Sequence, residues 1–125
     1  MDILVTNNNG PARLLLNTVR HRGHWLLVHL EGTKTNRSAY GSVVELVRAD
    51  GTSVKAWVRG DGSYLAANDP RVHFGLGEAR AVDRIQVDWL AGECEAWRQI
   101  VVDALVNLKE GTGQPCEKLS AGVGR

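Results

Sequence analysis

The chain has 125 residues, of which 15 are Lys or Arg and 14 are Asp or Glu, for a formal net charge of +1. That length suits one domain whose core folds without metal or disulfide staples, and the charge balance leaves no basic surplus to hold a polyanion, which argues against nucleic acid as a partner. No run approaches the roughly 18 to 20 apolar residues of a membrane helix, and Met1 to Asn8 lack the basic start and apolar stretch of a signal peptide. We therefore expect no membrane insertion, and any export signal would lie on a longer parent protein.

Taken in chain order, Ile3-Leu4-Val5-Thr6 and Ala12 to Asn17 flank Asn7-Asn8-Asn9-Gly10-Pro11, a turn by composition, and read as a hairpin. A strand follows over 24–31, with Leu26, Val28 and Leu30 on one face. Gly32 then opens a polar turn in which Asn36 and Arg37, between Lys34 and Tyr40, are candidate binding residues or, as we favour, donors to a later loop.

The strongest local signal is a second hairpin, Val43 to Ala49 and Thr52 to Arg59, joined by Asp50-Gly51 as a two-residue type I′ turn. That turn sets Ala49 opposite Thr52, with Val47/Val54, Glu45/Ala56 and Val43/Val58 on the core side. The reverse face then carries Trp57 opposite Val44 and Lys55 opposite Leu46, with Arg59 beyond: an apolar patch rimmed by basic groups and a candidate docking face.

Between Gly60 and Gly77 the alternation fails and Gly, Asn, Asp and Pro accumulate. This predicts a long ordered loop at about 60–77 that packs Tyr64, Leu65, Phe74 and Leu76 on the core and presents Asn68 and Asp69. Strands resume near 82–89, 93–100 and 105–109. The residues after Gly111 have too little apolar content to pack, so 112–125 reads as a flexible tail. The whole pattern is that of an all-β fold, an antiparallel β-sandwich.

Groups that carry chemistry are sparse. Cys94 and Cys116 have neither Cys-x-x-Cys nor Cys/His ligand spacing. With Cys116 in the tail we read them as separate thiols, a disulfide being the alternative. His21, His24 and His29 do not converge, because residues 24 and 29 point to opposite faces of a strand. Asp61, Ser63, Asp69 and His73 lie within one loop, but Asp61-Gly62 and Asn68-Asp69-Pro70 read first as turns whose side chains bond their own backbone. Gly60-Asp61-Gly62 has no following Lys-Ser/Thr pair, so it is not a phosphate loop. We expect no metal, no cofactor and no catalysis.

Three stretches carry a family resemblance: Arg22 to Val28, Gly32 to Gly41, and Gly62 to Gly77, the last reading Gly-Ser-Tyr-Leu-Ala-Ala-Asn-Asp-Pro-Arg-Val-His-Phe-Gly-Leu-Gly. Together they resemble the ASPIC/UnbV domain of FG-GAP/VCBS repeat proteins and cartilage acidic protein, over roughly residues 20–111. Asp2 to Asn17 is similar to the end of an FG-GAP repeat, without the calcium loop of such repeats. Where the family has Trp-Pro-Ser-Gly, this chain has Trp89-Leu90-Ala91-Gly92, and Tyr40 stands where a small aliphatic residue is usual. The resemblance implies an extracellular or periplasmic setting and a non-catalytic role in adhesion or interaction, with a protein or the preceding propeller domain as partner. The alternative is a carbohydrate-binding module that uses exposed Trp and loop Asn/Asp residues.

Overall fold

The computed structural model describes residues 2–19, 23–62, 64–65 and 67–116. Ten strands follow one another: β1 (Ile3–Asn7), β2 (Gly10–Leu15), β3 (His24–Glu31), β4 (Val43–Arg48), β5 (Ser53–Trp57), β6 (Val72–Gly77), β7 (Val82–Asp88), β8 (Cys94–Ile100), β9 (Ala104–Lys109) and β10 (Gln114–Pro115). Eight of them make the two layers of the expected sandwich, a five-stranded sheet in the order β10-β8-β7-β4-β5 and a three-stranded sheet β6-β3-β9. Among the described residues β1 and β2 pair only with each other, as the expected N-terminal hairpin.

Alternation decides which residues fill the space between the layers. Leu26, Val28 and Leu30 of β3 and Val72, Phe74 and Leu76 of β6 are buried against Val44 and Leu46 of β4 and Ile85 and Val87 of β7. Each such side chain contributes about 1.5–3 kcal/mol by leaving water. The outward residues of the same strands, Trp25, Leu27 and His29 on β3 and His73 and Gly75 on β6, form the outer face of the smaller sheet. One pair in that sheet runs parallel: β3 and β9 align from Leu26 opposite Ala104 to Glu31 opposite Lys109.

The hairpin of β4 and β5 differs from the expected register by one residue. Val47 faces Ser53, Glu45 faces Lys55 and Val43 faces Trp57. The cause is the turn: Gly51 N–H donates to the Arg48 carbonyl at 3.0 Å and Arg48 N–H to the Thr52 carbonyl at 2.8 Å, leaving three loop residues. Gly51 takes φ +83°, the left-handed position that closes a type I turn with a G1 bulge. The face of β5 is as expected, with Val58 buried and Trp57 outward, but the face of β4 is reversed. Val44 and Leu46 are core, while Val43, Glu45 and Val47 lie on Trp57's side.

Three further expectations are corrected, on the 60–77 segment, the tail and the separate thiols. The last third of the 60–77 segment is the regular strand β6, so Phe74 and Leu76 are buried as expected, whereas Tyr64 and Leu65 are 90% and 88% exposed. The segment after Gly111 is not a tail through Cys116. Cys94 and Cys116 form a disulfide, β10 pairs with β8, and the buried Glu95 carboxylate accepts the N–H groups of Gly111 and Gly113 at 2.7 and 2.9 Å. Two small donors in a tight turn replaced the apolar content on which the tail expectation rested. Residues 117–125 lie outside the described residues, as do His21 and Ser63.

Candidate functional site

The outer face of the three-stranded sheet carries a groove of about 930 Å³. Its floor is made by Trp25 and Leu27 of β3 and His73 and Gly75 of β6. The Trp25 and His73 rings stack with centroids 6.4 Å apart and planes 14° apart, an offset arrangement that tiles the floor. Trp25 pairs with Gly75 across the strands, and among the described residues no atom beyond the chain neighbours lies within 4 Å of where a Gly75 Cβ would sit. A bare trough therefore runs beside the indole.

The backbone of Trp25 is clamped on its other side by Asp103. The Asp103 N–H donates to the Trp25 carbonyl at 2.7 Å, and Asp103 Oδ1 accepts the Trp25 N–H at 3.1 Å. Asp103 Oδ2 lies 2.6 Å from His24 Nδ1. Asp103 has φ +57°, a left-handed conformation that Asp tolerates better than most residues and that these bonds hold in place. The bond to His24, then the one to the Trp25 N–H, keep its carboxyl below the usual carboxylate range.

On the opposite rim stand Asn68, Asp69 and Arg71. Asp69 accepts the Arg71 backbone N–H at 3.0 Å and receives Arg71 Nε at 2.9 and 2.8 Å, with Nη2 also on Oδ2. This is the turn closed by its own side chain that Asn68-Asp69-Pro70 predicts, with a guanidinium added. The Arg71 side chain first, and its backbone N–H second, hold the Asp69 carboxyl below its ordinary value.

The other expected site residues lie elsewhere. Trp57 is 67% exposed on the edge strand β5, with Lys55 beside it and Arg59 just beyond the strand. Because β4 is reversed, the neighbours of Trp57 are Val43 and the buried Glu45 instead of Val44 and Leu46, so the expected apolar patch does not form. Asn36 does not reach the 60–77 segment. It closes its own turn, Nδ2 donating to the Tyr40 carbonyl and Oδ1 accepting the Tyr40 N–H, both at 2.9 Å. Arg37 is exposed in that turn, its carbonyl accepting the Gly32 N–H.

The 32–41 motif is fixed by a residue the sequence reading missed. Glu110, 2% exposed, takes the N–H groups of Thr33, Lys34 and Thr35 at 2.7, 2.7 and 2.8 Å and the Thr35 hydroxyl at 2.9 Å. A Cβ on Gly32 would sit 2.2 Å from the Asn36 carbonyl oxygen, so this close approach requires glycine. Trp25, Gly75 and Arg71 were also missed as site residues. Their signal was present, since Trp25 and Gly75 alternate with buried residues and so must face outward.

A family model described as ASPIC and UnbV matches residues 32–115, more than half of the chain. The chain belongs to the ASPIC and UnbV family. Domains of this family stand at the C-terminal end of FG-GAP proteins. The match opens at Gly32 and runs through Pro115, so the ASPIC and UnbV match takes in the Glu110 cradle, β6 and the rim residues Asn68, Asp69 and Arg71, while Trp25 precedes it. No curated protein matches the chain. Among the described residues no helix is long and apolar enough to cross a membrane.

Proposed function

We propose that this chain is a non-catalytic recognition module of an exported FG-GAP-type protein, and that the groove over Trp25 and Gly75 is its binding face. The observation that carries this is the convergence of an exposed aromatic floor with a polar rim whose groups are already oriented by partners. A recognition role fits the state of the carboxyls. Asp69 and Asp103 both titrate below the ordinary range, so at neutral pH they are fixed acceptors, the opposite of the raised carboxyl a general acid needs.

An extracellular or periplasmic setting is supported by the Cys94–Cys116 bond, which persists in oxidising compartments. The N-terminal hairpin supports attachment to a preceding repeat domain. It exposes Ile3, Val5 and Leu15 on one face and Leu4 and Leu14 on the other, a pattern suited to a strand pair covered on both sides. Such a groove suits a protein partner's surface or a saccharide, and the exposed indole of Trp25 favours the saccharide.

The test is retention of the labelled, oxidised chain on intact cell surfaces, comparing wild type, Gly75→Val and Trp57→Ser. Retention that falls at least about tenfold in Gly75→Val and is unchanged in Trp57→Ser supports the groove, tenfold corresponding to the loss of one good contact. Retention that is absent, or equal in all three proteins, overturns it.

A further inference from the structure

We infer that the groove binds a neutral saccharide, one pyranose ring lying on the Trp25 indole with its edge in the trough over Gly75. This rests on the recognition role proposed above and names the ligand class. A pyranose has an apolar C–H face and a rim of hydroxyls, and it needs a flat aromatic surface with donors and acceptors around its edge. The site offers that combination. Trp25 is 37% exposed, extended by the His73 ring at 14°, and flanked by a position where no side chain stands. Asn68, Asp69 and Arg71 lie on one side and His24 with Asp103 on the other.

The charges decide between neutral and anionic sugars. Among the described residues lining the groove, the one Lys or Arg side chain, Arg71, is already engaged by Asp69, and the His24 ring is bonded to Asp103. The other carboxylate among the described residues that line the groove, Asp2, accepts the Asn17 N–H at 2.8 Å. A sulfated or uronic acid ring would meet two acidic side chains, Asp2 and Asp69, and a guanidinium that is already paired. A neutral ring can use the same groups as hydroxyl acceptors and donors without breaking either pair. The volume of about 930 Å³ is that of an ordinary small-ligand site.

The platform is rigid. The Trp25 backbone is bonded to Asp103 on one side and aligned with Gly75 of β6 on the other, so little ordering accompanies binding. Gly75 offers a variant that separates site from fold. It is outward on an edge strand with open space around the Cβ position, so Val there fills the trough while suiting the strand.

The test uses the full oxidised chain and a panel of cellohexaose, mannohexaose, xylohexaose and galactohexaose, with a heparin hexasaccharide as the anionic member. Titration calorimetry reads affinity, and saturation-transfer NMR reads contact with the indole. At least one neutral hexasaccharide should bind, with affinity lowered about tenfold or more in Trp25→Ala and in Gly75→Val, unchanged in Trp57→Ser, and with Gly75→Val keeping the wild-type melting temperature. Binding by the anionic member alone, by no neutral member, or equally by wild type and Gly75→Val overturns the inference. If cell-surface retention depends on Gly75 while no neutral sugar binds, the saccharide assignment fails and the recognition face stands with a protein ligand. If neither depends on Gly75, both fall.

Discussion

Glu110 shows how much one side chain can fix. Its position near the end of β9 gave no local sign of a role, because the groups it satisfies are about 75 residues earlier in the chain. Desolvation pushes its pKa up, but the N–H groups of Thr35, Thr33 and Lys34 and the Thr35 hydroxyl outweigh that, and the carboxyl titrates below its ordinary 4.5. Replacing it by Ala removes the acceptor from three backbone donors and should cost about 2–3 kcal/mol, measured by urea unfolding at pH 7. The sign of the pH dependence follows from the lowered value. The ionised group stabilises fully above the unfolded-state pKa, and this contribution is lost as pH falls through the folded value. The stability gap between wild type and Glu110→Gln should therefore be constant above about pH 5 and shrink below about pH 4, given an unfolded carboxyl near 4.3. A gap that stays constant down to pH 3 would mean that the carboxylate charge is not what holds the turn.

At the scale of elements, most strands were legible because each buries one face and so alternates. β3, β7 and β8 lie where period two places them. Asp50-Gly51 announced a turn but not its length, since the dipeptide serves a two-residue loop and a three-residue loop with a bulge equally well. Choosing the shorter loop reversed β4 while leaving β5 correct, and β4 gave no warning because it is buried on both faces and does not alternate. Gly51→Ala tests the observed turn. With nothing among the described residues within 4 Å of the Cβ position, the cost is conformational, about 1–2 kcal/mol for a left-handed residue. Trp57→Ser, at 67% exposure, should shift stability by no more than about 0.5 kcal/mol. In β6, Phe74→Ala should cost about 3–5 kcal/mol, because the side chain is 4% exposed between the layers. A loss below about 1 kcal/mol would show that β6 is peripheral and with it the floor of the groove. The groove itself was half legible. Asn68 and Asp69 stood out by composition, but their meeting with Trp25 depends on β6 pairing with β3, a contact that spans the whole β4–β5 hairpin.

At the scale of the molecule, the last strands close the domain. β9 enters the smaller sheet parallel to β3, so the chain must cross from the larger sheet after β8 and return to it as β10. Two buried glutamates bracket this return, Glu110 holding the 33–35 turn to the end of β9 and Glu95 holding the N–H groups of Gly111 and Gly113. Beyond them Cys116 is bonded to Cys94, whose carbonyl also accepts the Cys116 N–H at 3.1 Å. The segment 112–116 is thus a latch, and its removal should be costly. Cross-linking positions 22 apart restricts the unfolded chain by about 3 kcal/mol on the loop-entropy estimate, and a native disulfide of this kind contributes about 2–4 kcal/mol. Cys94→Ala with Cys116→Ala should lower the unfolding free energy by that amount, and a reductant should do the same to wild type while leaving the double variant unaffected. Truncation after Gly111 should cost more than the double variant, because it also strips the Gly113 donor from a Glu95 carboxylate that is 6% exposed and is left with Gly111 alone. The two losses share one segment, so they should not add fully. Urea unfolding of the three proteins, with and without reductant, gives the comparison. If truncation after Gly111 leaves the unfolding midpoint of the oxidised protein unchanged, the latch carries no stability and the chain closes at Glu110.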